Sequence, residues 1–214
     1  MPRAVKRRTY DSPRRREQAR ATRQAVLGAA RELFVEQGYA ATTIEAIASR
    51  AGVSPETAYA NFKNKRTILA QVIDVSIAGD DDPVPMLRRS WVQDMREETD
   101  PQVRLQILAK NGRLILERWT PIYDALRGAA AVDPEIASLW ELSKAQRLEG
   151  QRALLGILTE RIPLREGLSM RTATDIMFAI GSPETYRLLA TDRDWSADRF
   201  ERWYRDALAR LLLG

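Results

Sequence analysis

The chain has no cysteine and no histidine among its 214 residues. Without cysteine there is no disulfide and no thiol redox switch, which fits residence in the cytoplasm. Without histidine there is no Ser-His-Asp triad, no Cys-His dyad and no zinc site built from imidazole or thiolate. The side chain that usually senses pH near neutrality is missing too. No metal site and no cofactor is expected. Carboxylates alone could still catalyse, but none of the 29 acidic residues sits in a recognisable catalytic context, so the chain is read as a non-enzyme. No apolar run reaches the length of a transmembrane helix, and no membrane partner is expected. The charged N-terminus leads into no apolar segment, so no signal peptide is expected. Segments of strand period and fixed-length repeats are also lacking.

What is present is helical punctuation. Helix starts recur as Asp100-Pro101, Thr120-Pro121, Asp133-Pro134 and Ser182-Pro183, each an N-cap followed by proline at the first helical position. The first helix is expected from Pro13 or Arg14 to Gln37, ended by Gly38. A fourth runs from about Lys65 to Ala78, with Ile68, Leu69, Val72 and Ile73 on one face. Further helices are predicted at about 84–98, 101–119, 121–131, 134–161, 169–181, 183–190 and 196–213. The break Gly79-Asp80-Asp81-Asp82-Pro83 is taken as a domain boundary. The predicted organisation is all-α: a basic disordered arm at 1–15, a three-helix DNA-binding domain at 16–78, and a larger helical ligand-binding and dimerisation domain at 83–214.

The segment Thr42–Lys65, TTIEAIASRAGVSPETAYANFKNK, reads as two short helices joined by a glycine turn. Thr42 is the expected N-cap, with Glu45 completing a capping box, and Ile44, Ile47 and Ala48 give an apolar face. Gly52 can take positive φ and reverse the chain. Ser54 and Pro55 then open a second helix. This layout is a helix-turn-helix, whose second helix enters the DNA major groove. Thr57 could bond a base or touch a thymine methyl, and Glu56 could accept from cytosine or simply complement the helix dipole. Tyr59 is assigned to a phosphate through its hydroxyl, and Asn61 to an adenine or to its own backbone. At least one of Lys63 and Lys65 is assigned to a phosphate. Thr42, Thr43, Ser54 and Pro55 complete the expected contact surface.

Charge supports this placement. Residues 1–23 hold nine basic residues against Asp11 and Glu17, a net of +7, so the remainder sums to −2 in a chain of +5. Such a basic end is the electrostatic footprint of a DNA-binding protein. Arg14, Arg15 and Arg16 belong to it. The arm either follows phosphates or the minor groove, or is a solvated tail.

These residues carry a family resemblance. Gly38-Tyr39, Thr42-Thr43-Ile44, Ile47-Ala48, Ala51-Gly52-Val53-Ser54, Thr57, Tyr59, Phe62 and Lys65 resemble the DNA-binding region of the tetracycline-repressor (TetR) family of bacterial regulators, over residues 16–75. Ala58 departs from it, standing where the family carries a bulkier apolar side chain. The resemblance implies an all-helical homodimer on a palindromic operator, a repressor released by a small molecule held in its C-terminal domain, with the fourth helix transmitting the signal. Candidate pocket residues are Trp91, Met95, Leu108, Asn111, Leu114, Trp119, Tyr123, Leu126, Trp140 and Leu148, and their apolar character suggests a hydrophobic effector. Two stripes, Ala173, Ile176, Met177 and Ile180, then Phe200, Tyr204, Ala207, Leu208 and Leu211, are read either as a four-helix dimer interface or as intrachain core. A ligand-independent or architectural DNA-binding protein is the alternative function.

Overall fold

A computed structural model describes residues 13–214, and the part of the basic arm at 1–12 lies outside them. Ten α-helices are formed: α1 Pro13–Ala41, α2 Ile44–Ala51, α3 Pro55–Phe62, α4 Lys65–Ala78, α5 Ser90–Glu97, α6 Pro101–Ala130, α7 Pro134–Thr159, α8 Met170–Ile180, α9 Pro183–Tyr186 and α10 Ala197–Leu212. A 3-10 turn, Met86–Arg88, precedes α5, and a π-helical turn, Arg187–Thr191, extends α9. The only extended pairing among the described residues is an isolated bridge between Leu164 and Leu213.

Most of the expected caps are made. Asp100 accepts from the Gln102 amide at 2.8 Å and Asp133 from the Glu135 amide at 2.9 Å. Ser182 and Ser196 do the same for the amides three residues on. Thr120-Pro121 is the exception, because α6 runs straight through it. The Thr120 hydroxyl bonds back to the Leu116 carbonyl at 2.6 Å rather than capping forward. Leu116, Trp119, Ile122, Tyr123 and Leu126 keep one buried stripe across the proline, and that burial outweighs one lost backbone bond. The single helix expected at 84–98 is likewise divided, since Pro83 and Pro85 hold the chain extended before the 3-10 turn.

Packing forms two cores. One joins α1–α4 to the C-terminal half of α6 (Trp119, Ile122, Tyr123, Leu126) and the start of α7 (Ile136, Leu139). The other joins α5, the N-terminal half of α6, the end of α7, α8 and α10. The chain leaves α4 at Gly79, where φ is 95°, but α6 and α7 belong to both cores. A fully buried arginine braces the second core. Arg104 donates to the carbonyls of Arg96 at 3.1 Å, Glu98 at 2.9 Å and Ile157 at 2.5 Å, holding the end of α5 against α6 and α7.

Candidate functional site

The helix-turn-helix is built by local rules. Gly52 sits at φ 69° and ψ 30°, a conformation that costs a residue with Cβ far more than glycine. Its neighbour's amide, Val53 N–H, donates to the Ala48 carbonyl at 3.0 Å and closes the end of α2. Val53 then packs on the core between the helices. Ser54 caps α3 through the Thr57 amide at 3.3 Å, with Pro55 in the first turn. Ala58 is fully buried behind α3. With this small side chain and Phe62 buried, α3 packs on α2 and α4.

The cap of α2 is one residue later than expected. Thr43, not Thr42, accepts from the Ala46 amide, at 3.1 Å. Thr42 is wholly buried, its hydroxyl donating to the Gly38 carbonyl at 2.8 Å. It therefore offers no side-chain atom to a duplex. Lys65 is also drawn inward. Its ammonium donates to the carbonyls of Tyr39 and Thr42, both at 2.8 Å, and lies 4.1 Å from the centroid of the Tyr39 ring. This lysine fastens the turn after Gly38 (φ 81°) to the start of α4, and its donors are occupied by the protein rather than offered to a phosphate.

Thr43, Ser54, Pro55, Glu56, Tyr59, Asn61 and Lys63 are exposed, and Thr57 is half-buried. The Tyr59 hydroxyl donates to Glu45 Oε1 at 3.0 Å, tying α3 to α2. Asn61 donates to the Thr57 carbonyl at 2.7 Å, the backbone alternative of its two readings. The Glu56 carboxyl is lowered below its ordinary value by its own backbone amide and by Ser54, as a dipole-complementing acid should be. Lys63 ends α3 at φ 62°, projecting from the tip of the motif. Arg14, Arg15 and Arg16 are exposed on the first turn of α1, so the last residues of the expected arm are helical.

Behind the motif lies a cavity of about 660 Å³. One wall is α4 (Gln71, Asp74, Val75, Ala78). The others come from the 80–86 segment, α6 and α7, with Met177, Gly181 and Tyr204 at the far end. Of the pocket residues expected, Trp91, Leu108 and Trp119 line it. Asn111 and Leu114 line a smaller cleft of about 290 Å³, also bordered by Trp91. Met95 and Leu126 are fully buried core. Tyr123 is buried against Trp140, with ring centroids 4.6 Å apart, and its hydroxyl is held by Glu184. Leu148 is exposed on α7. Met95, Leu126, Tyr123 and Trp140 are packing residues and Leu148 is on the surface, so none of the five lines the cavity.

The interface stripes are corrected in the same way. Ala173, Met177, Phe200, Tyr204 and Leu208 are buried within the chain, where α8 and α10 pack together. Ile176, Ile180 and Ala207 are half-buried, and Leu211 is exposed. Sequence reasoning missed Gln71, Asp74, Arg147 and Gln151. Their spacing of three or four residues was the available signal, and on α7 it is masked by other polar residues such as Lys144, Gln146, Glu149 and Arg152. It missed Arg118 as well. Arg118 on α6 donates to the Ser76 carbonyl at 3.0 Å and the Ile77 carbonyl at 3.3 Å, clasping the C-terminal end of α4.

An all-helical fold with a capped helix-turn-helix at one end defines a DNA-binding transcriptional regulator. Residues 26–72 match the family model for bacterial regulatory proteins of the tetR family. YdeS, an HTH-type transcriptional regulator of Bacillus subtilis, is 31% identical over 182 residues, covering 84% of each chain. The chain belongs to the tetR family, whose members are transcriptional regulators and not enzymes. Two solved structures share the fold at lower identity. NalD of Pseudomonas aeruginosa, a repressor of a multidrug efflux pump, is 24% identical with a TM-score of 0.64, over 90% of this chain and 96% of its own. SmeT of Stenotrophomonas maltophilia, also an efflux-pump repressor, is 20% identical with a TM-score of 0.62, over 92% of each chain. Among the described residues no helix is long and apolar enough to cross a membrane.

Proposed function

We propose that this regulator is a repressor that binds a palindromic operator as a homodimer and is released by a small apolar molecule held in the large cavity. The observation that carries this reading is the double duty of α4. Its buried face packs with α1–α3 in the first core, while Gln71, Asp74, Val75 and Ala78 wall the cavity. A molecule that fills the cavity therefore presses on the helix that seats the reading head. Arg118, bonded to the end of α4, carries the same displacement into α6. A hundredfold loss of operator affinity needs only about 2.7 kcal/mol of differential binding between two states.

In this reading Ser54, Pro55, Glu56 and Thr57 face base edges, and Thr43, Tyr59, Lys63 and Arg14–Arg16 face phosphates. Dimerisation uses the outer faces of α8 and α10, through Ile176, Ile180, Ala207 and Leu211. Two reading heads about 34–36 Å apart, or a multiple of that, read an inverted repeat. The relatedness of NalD and SmeT, both named as repressors, supports the sign of regulation.

The test is selection of bound duplexes from a random pool at near-physiological salt, followed by titration of the selected site with apolar compounds. Enrichment of one inverted repeat, weakened by a compound that also quenches Trp119 fluorescence, is expected. Binding that disappears as salt rises, with no enriched sequence, would leave only non-specific attraction by the basic end. An enriched repeat that no compound weakens would favour the ligand-independent alternative.

A further inference from the structure

The polar atoms at the far end of the cavity specify more than an apolar occupant. Arg147 and Gln151 lie one turn apart on α7 and both line the cavity, so their side chains share a face. Arg147 donates to the Phe178 carbonyl at 3.1 Å and stacks 3.5 Å from the Phe178 ring centroid. Its Nε is buried with no hydrogen-bond acceptor among the described residues. Gln151 donates its Nε2 to the Gly181 carbonyl at 3.2 Å, which fixes Oε1 as the free end. That Oε1 is buried with no donor among the described residues. One orphaned donor and one orphaned acceptor thus belong to side chains one turn apart on α7 that both line the cavity, and buried polar groups left unpaired are costly.

We infer that the effector is an apolar molecule carrying an uncharged hydroxyl, which accepts from Arg147 Nε and donates to Gln151 Oε1. This rests on the reading of the cavity as the effector site. A carboxylate head would satisfy Arg147 but set an anion against the amide oxygen of Gln151. An ammonium head would satisfy Gln151 but set a cation against a guanidinium. A hydroxyl meets both at no charge cost. The groups facing Arg147 weigh against a cationic guest. Glu184 lies within its field from α9, while Tyr123 of α6 and Tyr204 of α10 have hydroxyls that burial keeps protonated. Burial lowers the Arg147 pKa and Glu184 offsets this only in part, so a second cation beside the guanidinium would add to an existing cost. The rest of the guest meets Leu108, Leu116, Trp119, Leu154 and Met177, a lining that rewards apolar area.

The test uses four probes with one tail: decanol, decyl methyl ether, decanoate and decylammonium, each below its micellar concentration. Binding to the full-length protein is read by quenching of Trp91 and Trp119. Decanol is expected to bind about tenfold tighter than each of the others, the worth of one well-made buried hydrogen bond. Gln151→Leu should erase the advantage of decanol over the ether, while decanoate binding does not fall. Arg147→Met should weaken decanol and the ether alike; Gln151→Leu, which leaves the Arg147 contact with Phe178 in place, serves if that variant misfolds. Equal or tighter binding of a charged probe overturns the inference. So does an unchanged decanol preference in Gln151→Leu, or no binding by any of the four. Operator retention is measured in parallel. Decanol that binds as expected yet leaves the operator bound would sink the effector reading while sparing the chemistry of the site.

Discussion

The two cores of this molecule are finished to different degrees. Around α1–α4 nearly every interior polar group is answered. Lys65 serves two carbonyls, the Thr42 hydroxyl is bonded, and Thr43, Ser54 and Asn64 each cap a helix. Among the described residues, only Gln71 keeps an orphaned buried oxygen there, on the helix that walls the cavity. The other unpaired buried atoms among the described residues lie beyond that region, on Arg89, Arg104, Arg147, Gln151 and Arg187. The open space of about 660 Å³ lies where the two cores meet, with α4 and Trp119 on one side and residues of the second core on the other. A reading head must hold a fixed shape, and full satisfaction of its polar groups enforces one. A binding domain must leave groups unspent for its guest.

The sharpest way to break this contrast is to remove Lys65. Lys65→Met strips the donors from the Tyr39 and Thr42 carbonyls, and charge-assisted bonds of this kind are worth about 1.5–3 kcal/mol each before partial compensation by water. A loss of about 3 kcal/mol in urea unfolding is expected, with operator affinity falling for all sequences alike. A loss under about 1 kcal/mol would mean the reading head is looser than its hydrogen bonds suggest.

The matching probe of the second core is Gly181→Ala. A Cβ there would lie 2.5 Å from the Tyr204 hydroxyl and 3.0 Å from the Met177 carbonyl. In a packed interior, overfilling of this kind costs about 2 kcal/mol. Tyr204→Phe removes the nearer clash, so the double variant should recover at least half of that cost in the same unfolding measurement. If Gly181→Ala alone costs nothing, Tyr204 is free to swing into the cavity, and the second core is softer still than the contrast implies.

Legibility from sequence followed the same line. Gly52, Ser54, Pro55 and the aspartate caps were readable because caps and turns depend on neighbours within four residues. The helix-turn-helix and its family followed from them. The error at Thr42 came from two adjacent threonines of equal capping chemistry. Which one turns inward depends on where the kink at Gly38 places the Gly38 and Leu33 carbonyls that bond the Thr42 hydroxyl, and residue type alone does not reveal that. The break expected at Thr120-Pro121 failed because tertiary burial of the α6 stripe overrode a local signal. The cavity was least legible. Apolar residues that line it, such as Leu108, and those that fill the core, such as Met95, have the same spacing and character. Tyr204 and Met177 read as an interface stripe because a helix face looks alike whether its partner is another helix of the chain or another copy.

A smaller effect separates the two threonines. Thr43→Ala should cost about 1 kcal/mol, the usual value of a lost N-cap, and Thr43→Ser should restore it. Urea unfolding of the three proteins checks this. Thr42→Ser, which keeps the buried hydroxyl and removes only a methyl, should cost about 1 kcal/mol through a small cavity, without weakening the cap. A Thr43→Ala variant as stable as the parent would place the cap elsewhere.

The finest distinction concerns the one polar contact that spans the exposed faces of α2 and α3. The Glu45 carboxyl lies below its ordinary value first because its own backbone amide bonds it and second because Tyr59 does. A carboxyl lowered in the folded state contributes stability that is present above its unfolded pKa and lost as pH falls through the folded one. Tyr59→Phe removes only the second cause. The Glu45 titration followed by NMR should therefore move upward but stay below the ordinary glutamate value, and acid unfolding should begin at slightly higher pH. Because both side chains are exposed, stability at neutral pH should hardly change. Operator binding should still weaken severalfold if the hydroxyl exchanges Glu45 for a phosphate on the duplex, and its salt dependence should barely alter, since no cation is lost. Unchanged affinity would assign Tyr59 wholly to the contact with Glu45, making it part of the satisfied reading head rather than of the surface that head presents.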